Sequence, residues 1–212
     1  MKTVSIKHTY WDIAADIYFL TILIVKKYPA IISAHPIGSC KEQTSGSVYG
    51  AALAKAGFIV IAFNASFQGS SGGEPRYLED PTMRVKDFSI VVDYLTTLPY
   101  VDAGRIGVLG ICGGGGYAIN AAMTERRIKA IGTVTGANYG RLMREGFTAF
   151  NPIGALEAMA QQRTDEANGA KLRVDDLLPS SPEAALEAGL TEIDLLKQQN
   201  IIVRHEAVRL MG

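Results

Sequence analysis

Residues 107–122 read GVLGICGGGGYAINAA: a short apolar run, one cysteine, four glycines, and then a helix-prone stretch. Within it, Gly110-Ile111-Cys112-Gly113-Gly114 has the spacing G-x-nucleophile-x-G. Set between a strand and a helix, that spacing builds an elbow that holds its central residue in a strained backbone conformation. The two outer glycines remove side chains where strand and helix nearly touch. The amide of Gly113, directly after Cys112, is placed to bind a developing oxyanion. Cys112 would also start a helix, whose N-terminal partial positive charge favours an anion. The chemistry this implies is attack by a thiolate on an acyl carbonyl. The competing reading makes Cys112 a small apolar residue packed in a glycine-rich turn.

An oxyanion needs a second donor, and residues 33–40, SAHPIGSC, supply a candidate. A His-Pro-x-Gly turn after an earlier strand could aim the amide of Ile37 at the same oxygen. His35 reads as a residue that shapes this turn rather than as a base, and Cys40 as packing. A dinucleotide site is also spelled here, since Gly113-x-Gly115-x-x-Ala118 satisfies G-x-G-x-x-A. That site requires an acidic residue ending the next strand, where this chain has GTVTG, and it belongs after a first strand rather than a fifth. A phosphate loop fails for want of Gly-Lys-Ser/Thr.

The elements that would position these residues alternate. TVSIKH and DIAADIYF read as an early hairpin, and YPAIISAHP as a buried strand ended by Pro36. Residues 45–56 read as a helix closed by Gly57, and FIVIAFN as a strand leading into the glycine-rich loop ASFQGSSGGEPR. Val85, Phe88, Val91, Val92 and Leu95 recur at helical spacing over 82–98. RIGVLGI, GYAINAAMTE and IKAIGTVTG then read as strand, helix and strand. Such alternation predicts an α/β fold: a three-layer α/β/α sandwich around a mostly parallel sheet, spanning residues 1–140. From 141 to 212 the chain becomes polar and helix-prone, which reads as a partial helical cap followed by an aberrant tail. Gln68, Glu74 and Arg76 lie in a loop that borders the site, with surface or structural ion-pair roles expected for Glu74 and Arg76.

Composition narrows the class. The chain has 212 residues, of which 48% are hydrophobic and 20% charged, enough for one domain with a sizeable core. Lysine plus arginine and aspartate plus glutamate number 21 each, so no overall field favours nucleic acid or an anionic membrane. The two cysteines form neither a disulfide framework nor a close metal-binding pair. The most apolar run, IYFLTILIV at 17–25, is too short to span a bilayer. The expectation is a cytoplasmic protein acting on a small acyl substrate, with no metal, cofactor, nucleic acid or membrane.

The segments KKYPAIISAHPIGSCKEQTSG, GFIVIAFNASFQGSSGGEPRYLEDP, DYLTTLPYVDAGRIGVLGICGGGGYAINAA and RIKAIGTVTGANYG together resemble the α/β-hydrolase superfamily. The resemblance is strongest to its dienelactone-hydrolase-like branch, which often carries cysteine at the elbow. It implies a Cys–His–Asp hydrolase of esters, lactones or related acyl compounds, with Cys112 as nucleophile and Gly113 and Ile37 as amide donors. Asn64 stands where relatives commonly have a structural aspartate.

In that superfamily the triad acid and histidine follow the nucleophile in the chain. Here the single histidine after Cys112 is His205, read as a tail residue rather than the base. The chain therefore reads as truncated after about its sixth strand. The expected result is an open sheet edge and apolar face, which a homodimer could bury. Residues 20–25 and 197–212 read as out-of-frame translation, since single-base shifts of plausible codons restore family-like sequence in both; the alternative for the N-terminal run is a long buried strand. On this view acylation survives and turnover is impaired; the alternative is a non-catalytic remnant or binding scaffold with a stoichiometrically reactive Cys112.

Overall fold

The computed structural model describes residues 1–19, 26–145 and 151–174, together with the backbone of 209–210. Strands β1 (Lys2–Lys7) and β2 (Asp12–Tyr18) form the expected antiparallel hairpin. They are followed by β3 (Tyr28–Ala34), helix α1 (Ala51–Lys55), β4 (Ile59–Phe63), β5 (Leu78–Glu79) and α2 (Pro81–Thr97). Then come β6 (Val101–Ile111), α3 (Gly113–Thr124), β7 (Ile128–Val134), α4 (Tyr139–Glu145), α5 (Pro152–Ala167) and β8 (Arg209–Leu210).

Two differences from the sequence reading have local causes. The helix expected over 45–56 is a π-helical turn, Thr44–Gly50, running into the short α1. Gly46 and Gly50 press this turn against Tyr18: a Cβ on Gly46 would lie 2.7 Å from its hydroxyl, and one on Gly50 3.0 Å from its ring. The parallel pair β5–β8, Leu78 to Arg209 and Glu79 to Leu210, is too short for any periodic pattern to announce. The residues read as out of frame, 20–25 and 197–212, lie outside the described residues apart from the 209–210 backbone, as does His205.

The main sheet has the order β1-β2-β4-β3-β6-β7, with β3, β4, β6 and β7 mutually parallel. The chain steps from β3 to β4 in one direction, then crosses back over β3 to reach β6 and β7. The strand order thus reverses between β3 and β6, where Ala34 pairs with Gly110. The loops leaving the carboxyl ends of these two strands lead to opposite faces of the sheet, the π-helical turn on one and α3 on the other. Such a reversal is the usual ligand position in sheets of this kind.

Ala30, Ile32 and Ala34 point to one face of β3, into a core shared with Phe88, Val91, Val92 and Leu95 of α2 and Tyr117, Ala118 and Ala121 of α3. Asp80 caps α2 by accepting from the amides of Thr82 and Met83, and Pro81 opens the helix. On the opposite face the Ser33 hydroxyl donates to the Ser45 carbonyl, tying down the π-helical turn. Three layers result, but the outer one is partial. Beside Leu53 and Phe58, a groove of about 500 Å³ stays open over Ile31, Val108 and Ile131. Among the described residues β7 is the last strand of the sheet, and Ile131 is 42% exposed.

Candidate active site

Cys112 joins the end of β6 to the start of α3 with φ 51° and ψ −122°. A β-carbon makes that region costly, so the surroundings must impose it. They do: the Cys112 amide donates to the Val134 carbonyl, and the Cys112 carbonyl accepts from the amides of Gly115 and Ala137. The side chain is partly exposed.

The flanking glycines are required by close approach. A Cβ on Gly110 would lie 2.5 Å from the Gly114 carbonyl oxygen and from the Gly115 Cα, and one on Gly114 would lie 2.6 Å from the His35 carbonyl oxygen. The elbow is therefore packed directly against the His-Pro turn that follows β3. At Gly113 the same construction comes within 2.6 Å of Ile37 Cγ1 and 3.6 Å of the Ile37 nitrogen. The two proposed amide donors are thus neighbours beside Cys112. As the first amide of α3, that of Gly113 has no partner inside the helix.

His35 is fully buried, with Nδ1 2.6 Å from the Pro36 carbonyl oxygen and Nε2 3.0 Å from the Ala65 amide. Donation from Nδ1 leaves the Nε2 lone pair to accept from Ala65. Burial, reinforced by the Arg84 guanidinium, holds the imidazole well below its ordinary value, so it is neutral. Both ring nitrogens are occupied by structure, in line with a turn-shaping role.

Sequence reasoning missed Arg84. Its Nη2 donates to the His35 carbonyl at 2.9 Å and its Nη1 lies 3.0 Å from His35 Nε2. The guanidinium also covers the Tyr117 ring at 5.1 Å, one turn into α3 from Cys112. Nε lies 3.2 Å from Oε1 of Glu79, an ion pair between side chains only 5% and 0% exposed. The Tyr117 phenol also faces the Glu79 carboxylate. Burial and the Glu79 charge push the Tyr117 phenol up, and the same two causes raise Tyr139 to about 12.

Asp87 was also missed. Completely buried, it accepts from the amide and hydroxyl of Ser66, and burial raises its carboxyl to about 6. A signal for both residues was present: 84, 87, 88, 91 and 95 form one helical stripe, so Arg84 and Asp87 occupy core positions beside Phe88, Val91 and Leu95.

Glu74 is exposed, one of the two roles expected for it, whereas Arg76 departs from the ion-pair alternative. Arg76 forms no ion pair with Glu74 among the described residues; its guanidinium instead donates to the carbonyls of Gly69, Ser71 and Gly73. The loop folds back on itself there and presents carbonyl oxygens that a planar fork can gather. Gln68 is fully buried and donates to the Leu78 carbonyl. Asn64 accepts from the Lys41 amide and donates to Ser70, a structural tie between loops. Cys40 is buried and the two cysteines are not bonded to each other. Among the described residues no cluster of three or more His, Cys, Asp or Glu side chains could hold a metal, and no helix is long and apolar enough to cross a membrane.

Residues 24–200 match the family described as X-Pro dipeptidyl-peptidase (S15 family). The chain belongs to the S15 family. Among relatives of this S15 chain, the uncharacterized protein YcjY of Escherichia coli is 48% identical over 158 residues, covering 73% of this chain and 51% of YcjY. The crystal structure of the hypothetical protein PA2218 from Pseudomonas aeruginosa superposes with a TM-score of 0.81 at 33% identity, covering 96% of this chain and 64% of that one. The alpha/beta hydrolase GrgF from Penicillium superposes with a TM-score of 0.71 at 16% identity, covering 98% of this chain and 69% of that one, a likeness of fold. The S15 chain has the α/β-hydrolase fold, and it spans about half the length of the curated relatives it matches.

Proposed function

We propose that this chain carries the acyl-accepting half of a hydrolase, with Cys112 as the nucleophile. The observation that carries the reading is the backbone of Cys112, held at positive φ between β6 and α3 with its side chain partly exposed. In the first step the Cys112 sulfur, as thiolate, bonds to the substrate carbonyl carbon and the carbonyl electron pair moves to oxygen. The amides of Gly113 and Ile37 stabilise that oxyanion. Collapse re-forms the carbonyl, expels the leaving group as its anion, which takes a proton from water, and leaves a thioester on Cys112. Water then attacks the thioester, releasing the carboxylic acid and the thiol.

Esters and lactones are the substrate class proposed, as in dienelactone-hydrolase-like enzymes, and activated ones suit the attack best, because a phenolate or enolate competes with the thiolate as leaving group. The family description adds peptides as a second substrate class. Deacylation needs a base, and His35 is committed to its turn. Acylation of Cys112 is therefore the step that the described residues supply.

The test is to mix the full chain with p-nitrophenyl acetate, follow p-nitrophenol, and locate the acetyl group by mass spectrometry. The expected result is a stoichiometric burst with acetyl on Cys112, absent in Cys112→Ala. Sustained release would show that turnover is intact, and an X-Pro anilide cleaved faster than the ester would favour a peptidase. No burst and no adduct would overturn the assignment.

A further inference from the structure

We infer that Arg84 is a positioning residue for the oxyanion site, setting the distance between its two amide donors; this rests on the Cys112 assignment above. The two donors belong to different segments: Ile37 to the turn after β3, and Gly113 to the first turn of α3. Nothing covalent links them locally, and an oxyanion is stabilised only if both amides reach it within hydrogen-bond distance. One buried side chain touches both segments. Arg84 grips the turn through the His35 carbonyl at 2.9 Å and approaches His35 Nε2 at 3.0 Å. Cζ of the same guanidinium lies over the Tyr117 ring on α3, 5.1 Å from its centre. A planar fork can hold a carbonyl at its edge and an aromatic ring on its face together, which an ammonium cannot.

Glu79 explains how a cation can be kept there. Its fully buried carboxylate, 3.2 Å from Nε, neutralises the guanidinium and leaves Nη1 and Nη2 directed at His35. Asp80 caps α2 and starts the helix one turn before Arg84. The segment Glu79–Arg84 thus acts as a bracket mounted on a core helix, with its arm between the two halves of the site.

The experiment separates the oxyanion site from the thiol. Acetylation by p-nitrophenyl acetate passes through an oxyanion, whereas alkylation by iodoacetamide displaces iodide at a saturated carbon and forms none. Both rates at Cys112 are measured in the full chain for the parent, for Arg84→Lys, and for the double variant Arg84→Met/Glu79→Gln, which removes both buried charges together. The expected result is acetylation slowed about tenfold or more in both variants, with alkylation within about twofold of the parent. Arg84→Lys keeps the charge opposite Glu79, so it decides the matter if the double variant does not fold. Parent-like acetylation in Arg84→Lys, or equal slowing of both reactions, overturns the positioning role. A parent chain inert to both reagents instead overturns the Cys112 assignment itself.

Discussion

The Ile37 nitrogen stands 3.6 Å from the point where Gly113 would carry a Cβ, and the Ile37 side chain stands closer still, at 2.6 Å. The turn after β3 is therefore seated on the bare backbone of the elbow. A methyl group at 113 would displace the end of a flexible side chain first and the turn second. Gly113→Ala is expected to cost only about 1 kcal/mol in stability. It should nevertheless slow acetylation of Cys112 by about tenfold, because the donor turn moves away. Urea melts and burst kinetics on the same preparation check both halves.

Gly110 offers no such yielding neighbour. A Cβ there meets the Gly114–Gly115 peptide head-on, with Gly114 O and Gly115 Cα at 2.5 Å and Gly115 N at 2.7 Å. Gly110→Ala should lower stability by about 3 kcal/mol or prevent folding. Gly57 makes the contrast: it has φ +97° and nothing within 4 Å of its Cβ position. Gly57→Ala should cost only about 1 kcal/mol, the conformational cost alone. Chemical denaturation midpoints give the comparison.

Asp87 makes stability depend on pH in an unusual direction. Its carboxyl rises from an ordinary 3.8 to about 6, chiefly through burial, so the folded state holds this proton more tightly than the unfolded state. The group carries no penalty below its unfolded value. It becomes progressively destabilising as pH rises through about 6, and the full penalty applies above that. Asp87→Asn still offers an acceptor to the Ser66 amide and cannot ionise. Between pH 4 and 6 the parent should therefore lose stability relative to the variant, by on the order of 2–3 kcal/mol in total. Parallel melts at several pH values would show this difference, and a constant gap would refute it.

Arg76 predicts a local effect. Its guanidinium gathers carbonyls of Gly69, Ser71 and Gly73, the backbone groups of an otherwise irregular loop. Arg76→Met should cost about 2 kcal/mol, as expected for losing bonds to a charged donor. It should also open residues 66–77 to limited proteolysis while leaving Cys112 alkylation unchanged. Peptide mapping of the early cleavage products locates the effect.

What could be read from the letters follows from the range of the interactions. Strands and helices were legible because their apolar period is local, and the elbow because Gly110, Cys112 and Gly114 fall within five residues. The Ile37 turn was legible because Pro36 and Gly38 mark it chemically. Arg84 was not, since its partners Glu79, His35 and Tyr117 come from three separate elements and meet only once the sheet has formed. Asp87 was hidden in the same way, although a carboxylate on the apolar stripe of α2 pointed to a buried partner. The carbonyl partners of Arg76 were not legible, because they are brought to one guanidinium only when the loop folds back on itself.

The positive φ of Cys112 sets stability and reactivity against each other at one position. Glycine suits that backbone better than any residue with a side chain, so Cys112→Gly should exceed Cys112→Ala in stability by about 1 kcal/mol. A chain under selection for persistence alone would drift towards glycine at 112. Variation at that single site, in a library sorted first for folding and then for thiol reactivity, would therefore separate chains kept for their shape from chains kept for their chemistry.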